Sequence, residues 1–296
     1  MSSKTEERGV RRSKCLLVGI NDYKPIGTGG ADLRGCVNDV KDMANTLVIC
    51  GFSPINFRVI TDSRATKAGI LDGLKWLVRG ARPGDSIVFY YSGHGSYMVD
   101  ASGDEPDGKD ELLCPHDWPN YISDDDLGAI FRALPPGVNL EVILDSCHSG
   151  TATKSVIVPL NSNGQPLDTF VTSRYLEPPY DFTVYDDFKV DYKRKVKKLF
   201  GFEEDSNTRE IRPSASMNHV LWAGCRDKQT SKELNISGQI RGAFTYHFCK
   251  ILKATNGVIV RSRMDSLVTA GVRRTVADQD TQLEATRLEI SNRVFF

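Results

Sequence analysis

Short, largely apolar runs punctuate the first half of the chain: Cys15–Ile20 (CLLVGI), Ser86–Tyr91 (SIVFYY) and Leu140–Leu144 (LEVIL), with Phe57–Ile60 as a further strand candidate. Runs this short and this continuous read as strands buried on both faces, the pattern of a parallel sheet. Segments of helical period separate them. Val37–Val48 places Val37, Val40, Met43, Ala44, Leu47 and Val48 on one stripe, and Gly51 stops it. Thr66–Val78 carries Ile70, Leu74 and Leu77 on one face and ends at Gly80 and Pro83-Gly84. Asp124–Leu134 opens with an acidic turn and stops at Pro135-Pro136-Gly137. Alternation of this kind predicts an α/β fold, a central mostly parallel sheet flanked by helices on both faces.

The middle of the chain breaks the pattern. From about Thr151 to Ser216 the apolar periodicity is weak, and Glu177-Pro178-Pro179 and the basic run Lys193–Lys198 replace it. This reads as a linker or insertion. Regular structure resumes with His219–Ala223 as a strand and with Ala243–Leu252 and Met264–Val276 as helices. The tail from Gln282 is expected to dock, because Val294-Phe295-Phe296 would otherwise expose apolar area. The expected organisation is a frayed tail over 1–13, a first region over 14–160, a linker over 161–216 and a second region over 217–296. The two regions together make one domain, which a length of 296 residues accommodates.

Charge excludes some partners. Lys+Arg and Asp+Glu both number 38, so no global field pulls the chain toward nucleic acid or a membrane surface. No apolar run approaches the roughly 18 residues that span a bilayer, and Met1–Lys14 lacks the apolar core of a secretory signal. The seven cysteines are odd in number and form no CxxC pair, which argues against a disulfide framework or a zinc site. A reducing, cytoplasmic setting is expected, with most thiols packed as small apolar groups.

Two of the strand candidates end in chemically loaded turns. Phe89-Tyr90-Tyr91 runs into Ser92-Gly93-His94-Gly95, and Val142-Ile143-Leu144 runs into Asp145-Ser146-Cys147-His148-Ser149-Gly150. Ligand sites in open α/β sheets form at the carboxyl ends of parallel strands, so neighbouring strands would bring His94 and Cys147 to one edge. An imidazole beside a thiol can accept its proton and later protonate a leaving amine. Backbone N–H groups around Gly93–Gly95 and Cys147 are then placed to stabilise an oxyanion. A histidine roughly 50 residues before the cysteine matches one cysteine-peptidase order and spacing. His148 is the competing base, but its side chain should diverge from that of its neighbour Cys147.

Taken together, these stretches resemble the metacaspases, in particular the prokaryotic forms called orthocaspases. The resemblance rests on Val18–Tyr23 (VGINDY), Leu33–Asp39 (LRGCVND), Tyr91–Gly95 (YSGHG), Asp104–Pro115 (DEPDGKDELLCP) and Asp145–Gly150 (DSCHSG). Trp222–Ser231, Gly242–Tyr246 and Gln282–Glu284 look like the small-subunit region of that family. It implies a caspase-like fold, with 14–160 as the large-subunit-like and 217–296 as the small-subunit-like part. It also implies endopeptidase action on proteins or peptides after Arg or Lys, with His94 and Cys147 as the dyad. By the same resemblance Cys36, Asp39, Ser92 and Asp145 form the primary specificity pocket, and the chain is a monomer. Two carboxylates at the base of a cleft suit a cationic side chain, bidentate for Arg and a point charge for Lys.

The stretch Asp104–Asp126 is dense in carboxylates and free of a His or Cys pattern, which suits a hard cation such as calcium, although the spacing is not that of an EF-hand. The resemblance assigns Asp110, Asp124 and Asp125 as calcium ligands on a loop that folds back around one ion. An enzyme that cuts after basic residues and carries a basic linker is a candidate for self-processing, with Lys154, Arg174, Lys193–Lys198, Arg209 and Arg212 as possible sites. Two readings compete: a metal-dependent hydrolase using the acidic loop, and a non-proteolytic caspase-fold scaffold.

Overall fold

The computed structural model describes residues 12–23, 32–99, 109–147, 171–176, 219–226 and 229–295. In chain order its elements are β1 (Ser13–Gly19), α1 (Cys36–Ile49), β2 (Phe57–Thr61), α2 (Lys67–Val78), β3 (Ser86–Ser92), β4 (Gly95–Val99), β5 (Lys109–Leu113), β6 (Ile122–Ser123) and α3 (Asp124–Phe131). There follow β7 (Asn139–Asp145), β8 (Val171–Ser173), β9 (Val220–Ala223), β10 (Lys232–Ile236), β11 (Gln239–Gly242), α4 (Ala243–Thr255), α5 (Arg261–Thr275), β12 (Gln282–Glu284) and α6 (Arg287–Ile290). Six strands form the central sheet in the order β12-β9-β7-β3-β1-β2. All neighbouring pairs are parallel except the edge pair β12–β9.

The apolar runs explain this arrangement directly. Within β1, Cys15 and Leu17 face one side while Leu16 and Val18 face the other, and each set joins a different apolar cluster. The first cluster packs the sheet against α1, α4 and α5 through Val40, Met43, Phe244, Phe248, Met264 and Val268. The second packs it against α2 and α3 through Ile70, Leu74, Leu77, Leu127 and Phe131. The helices start where their side chains close the first turn. Thr66 accepts from the Gly69 N–H at 3.1 Å to cap α2, and Ser123 and Asp126 cap α3 reciprocally. The expected mostly parallel sheet covered on both faces is what the chain forms.

Several boundaries move. α3 stops at Phe131 rather than Leu134, because Ala133 and Leu134 bond back to Ile130 and Phe131 in a tighter final turn. The acidic stretch, expected to be a loop, contains β5 and β6, which with β4 build an antiparallel sheet of three strands. The β10–β11 hairpin was not anticipated either. Its turn residues Ser237 and Gly238 have φ of 54° and 83°, the twist that closes a two-residue hairpin. The stretch expected to be a linker contributes β8, which pairs with β10. Val294 and Phe295 are fully buried, so the tail docks as expected, while Phe296 lies outside the described residues.

One buried charge ties the halves of the fold together. Glu141 of β7 is fully buried and accepts from Trp222 Nε1 at 2.6 Å, from Arg261 Nε and Nη2 at 2.9 and 2.6 Å, and from the Phe295 N–H at 3.2 Å. Glu141→Leu leaves the buried Arg261 guanidinium without its carboxylate and the Trp222 N–H without an acceptor, and urea unfolding should show a loss of about 3–5 kcal/mol. The double variant Glu141→Leu/Arg261→Met should recover most of that loss. A single-variant loss within about 0.5 kcal/mol would mean the cluster contributes nothing.

Candidate active site

The register of β3 against β7 sets Ser92 opposite Asp145, so the two strands finish level. From there the chain turns through Gly93 into His94 and returns as β4, while β7 leads through Ser146 to Cys147. The Gly93 N–H reaches the Asp145 carbonyl at 3.4 Å. Gly95 lies directly on the Cys147 backbone, and a Cβ there would stand 2.1 Å from the Cys147 carbonyl oxygen. Only glycine permits that approach. The His94 N–H donates to the Tyr23 hydroxyl at 2.7 Å, its carbonyl accepts from the Tyr91 hydroxyl at 2.8 Å, and its ring packs on Tyr23 with centroids 4.7 Å apart. His94 and Cys147 are thus held at adjacent strand ends, both buried. The Cys147 Sγ accepts from the Ser231 N–H and donates to the Ser231 carbonyl at 3.2 Å. Cys225 adjoins it, and its hydrogen bond to Cys147, together with burial, pushes its thiol pKa well up.

Beside the cysteine is a deep anionic pocket, and Arg174 fills it. The arginine is fully buried, as are Asp39, Asp145 and Glu233 around it. Nη1 lies 3.0 Å from Asp145 Oδ2 and 2.8 Å from Ser92 Oγ, while Nη2 lies 2.6 Å from Asp39 Oδ2 and 3.4 Å from Glu233 Oε2. Each terminal nitrogen therefore meets its own carboxylate. The other lone pairs are satisfied by the protein. Asp145 accepts from Ser231 Oγ at 2.5 Å and Thr245 Oγ1 at 2.6 Å, and Asp39 accepts from the Gly242 N–H at 3.0 Å. Glu233 accepts from the Arg34 and Gly35 N–H groups at 2.8 and 2.9 Å.

The backbone of this segment is fixed as firmly as its side chain. β8 adds to the edge of β10, and the Arg174 N–H donates to the Ser231 carbonyl at 3.0 Å. The Arg174 carbonyl oxygen accepts from the N–H of Gly95 at 3.0 Å and of Cys147 at 3.3 Å. Those two N–H groups belong to the residue after His94 and to the cysteine itself. A carbonyl held by two converging donors next to a thiol is the geometry that stabilises an oxyanion in acyl transfer.

Comparison with known proteins gives this geometry a lineage. Residues 13–156 match the family described as Metacaspase, peptidase C14 domain. Metacaspase-1 of Ajellomyces capsulatus is 35% identical over 284 residues, which cover 87% of this chain and 77% of that protein. The chain belongs to the metacaspase family. Metacaspase-1A of Aspergillus niger is 37% identical over 83% of this chain, which spans 64% of that protein's length, and Metacaspase-1 of Coccidioides immitis is 36% identical, with 55% of its length spanned. Among solved structures, protein GSU0716 of Geobacter sulfurreducens is similar with a TM-score of 0.63 and 25% identity, covering 96% of this chain and 98% of its own. The metacaspases are caspase-like cysteine peptidases, and the fold described above is that fold.

Of the pocket residues that the sequence suggested, this metacaspase brings Asp39, Ser92 and Asp145 into contact with one guanidinium. Cys36 opens α1 close by, where burial pushes its thiol pKa well up against the opposing pull of Arg174. Glu233, Ser231, Thr245 and Gly242 were not anticipated as pocket residues, although Ser231 and Gly242–Tyr246 lie in the stretches that carry the resemblance. His148 lies outside the described residues. Asp110 sits in β5, and Asp124 and Asp125 open α3. Among the described residues, no group of three or more His, Cys, Asp or Glu is placed to hold a metal ion. Asp126 caps α3 and pairs with Lys67 at 3.0 Å, and Asp104, Glu105 and Asp107 lie outside the described residues. Among the described residues, no helix is long and apolar enough to cross a membrane.

Burial raises the Asp39 carboxyl to about 7, with the Arg174 guanidinium pulling it down and Asp145 pushing it up. Only the ionised carboxylate pairs with a cationic side chain, so the pocket weakens as pH falls through that value. For a substrate with Arg before the cut bond, kcat/KM should fall as pH falls and the Asp39 carboxylate takes up a proton. Asp39→Asn removes the titrating carboxylate and separates this limb from titration of the dyad. Coincident pH profiles for the two proteins would exclude Asp39 as the titrating group.

Proposed function

We propose that the protein is a cysteine endopeptidase that cuts after arginine, and after lysine less well, and that its own Arg174–Tyr175 bond is a substrate. The observation that carries the reading is Arg174. Its side chain is enclosed by the pocket, and its carbonyl oxygen lies 3.0 Å from the Gly95 nitrogen and 3.3 Å from the Cys147 nitrogen. A peptide bound for cleavage presents these same two groups, with its backbone paired to the sheet edge by strand addition.

In the proposed reaction His94 takes the Cys147 proton, and the thiolate attacks the carbonyl carbon of the residue in the pocket. The oxygen, now an anion, is held by the Gly95 and Cys147 N–H groups. The C–N bond breaks as the imidazolium of His94 passes its proton to the departing amine, leaving a thioester on Cys147. Water, losing a proton to His94, then attacks the thioester, releases the carboxylate product and restores the thiol. His94 enters on rails, with Tyr23 and Tyr91 fixing its backbone and Tyr23 packing on its ring.

Arginine is favoured over lysine because the acceptors sit at two separate nitrogens, Asp145 and Ser92 at one and Asp39 and Glu233 at the other. A lysine ammonium is a single point charge and cannot satisfy both ends. Calcium, implied by the resemblance, is assigned no step.

Fluorogenic peptides with Arg, Lys, Asn or Asp before the coumarin test this reading. The full chain should cut Arg best and Asp not at all, and Cys147→Ala should lower the Arg rate by roughly a thousandfold or more. Retained activity in Cys147→Ala would return the metal-dependent hydrolase, and inactivity on every peptide would return the scaffold. A chelator arm tests calcium separately. Should the ion be needed to draw Asp110, Asp124 and Asp125 together, chelation cuts the Arg rate at least tenfold, while an unchanged rate removes calcium from the account.

A further inference from the structure

The docked segment presents a second side chain to the protein, beyond the bond that would be cut. Alternate residues of an extended chain share a face. In Val171–Leu176 the buried side chains are those two residues apart, Arg174 at 0% exposure and Leu176 at 7%, whereas Ser173 and Tyr175 are half-buried. Leu176 joins the apolar cluster that also holds Tyr23, Leu112 and Leu113, on the sheet face covered by α2 and α3.

The backbone after the bond is gripped as well. The Leu176 N–H donates to the Gly95 carbonyl at 3.0 Å, and the Leu176 carbonyl accepts from Ser96 Oγ at 2.8 Å. Tyr175 forms a parallel bridge with Gly95 between them. Ser96 is itself fully buried, so its hydroxyl finds its acceptor on the docked peptide and not in water. Gly95 therefore serves both sides of the bond, its N–H toward the Arg174 carbonyl and its carbonyl toward the Leu176 N–H.

We propose that Gly95, Ser96 and the apolar wall around Leu176 form a second substrate subsite, one that takes a large aliphatic residue two positions after the cleaved bond. The enzyme then reads two side chains two residues apart, a basic one before the bond and an aliphatic one after it. The inference rests on the peptidase reading above, since it needs the Arg174–Tyr175 bond to be where cleavage occurs. It adds a selection that the anionic pocket cannot make.

The test uses the full chain and internally quenched peptides carrying Val-Thr-Ser-Arg-Tyr-Xaa, with Leu, Met, Ala or Asp as the last residue, beside an Arg-coumarin amide that has no residue after the bond. Leu and Met should give kcat/KM roughly tenfold above Ala, with Asp lower still. In the intact chain, Leu176→Asp should slow fragmentation at Arg174 by a similar factor. No coumarin release would overturn the peptidase reading itself. Coumarin release with Leu, Ala and Asp peptides cut at equal rates would leave that reading standing and overturn the subsite.

Discussion

A single guanidinium, that of Arg174, is held out of water among the carboxylates of Asp39, Asp145 and Glu233, and the site is organised around it. Stripping water from these groups is costly, and attraction offsets the cost only where every remaining lone pair is also satisfied. That requirement accounts for the ring of donors from Ser92, Ser231, Thr245, Gly242, Arg34 and Gly35. The carboxylates come from the first helix, the end of a central strand and a late hairpin, so one cation draws together Asp39 near the start of the chain and Glu233 near its end. Three carboxylates therefore surround this one cation.

The sheet sets a histidine and a cysteine beside that pocket. β3 and β7 are neighbours in register, so their ends deliver His94 and Cys147 to the same rim. Gly95 lets the two turns touch and leaves its N–H pointing where the Cys147 N–H also points. The edge of β10 supplies the remaining element, a ladder on which an extended peptide lies down. In this structure the peptide is part of the chain itself. The same contacts that would position a substrate therefore also cover Cys147, which is fully buried.

Much of this was legible in the sequence because it follows from short-range pattern. The continuous apolar runs specified buried parallel strands, and the helical stripes specified which segments cover them. That His94 and Cys147 end neighbouring strands was legible because both follow such runs. Asp39 and Asp145 came with the family resemblance. Glu233 stayed hidden because nothing local distinguishes it from any charged residue of a hairpin, and its role arises only when β10 meets the start of α1. The strand β5 was concealed by Lys109, Asp110 and Glu111, whose charges mask the period before Leu112 and Leu113. Arg174 was one basic residue among several in a segment of weak periodicity. Only the folded site, with its paired acceptors and its two converging N–H groups, singles it out.

The most direct test is N-terminal sequencing and intact-mass analysis of the purified chain and of its Cys147→Ala variant. The account predicts that the wild type yields a fragment beginning at Tyr175, while Cys147→Ala remains whole. It is contradicted if the same fragment arises in Cys147→Ala, or if the wild type is cut at other basic residues while the Arg174–Tyr175 bond survives.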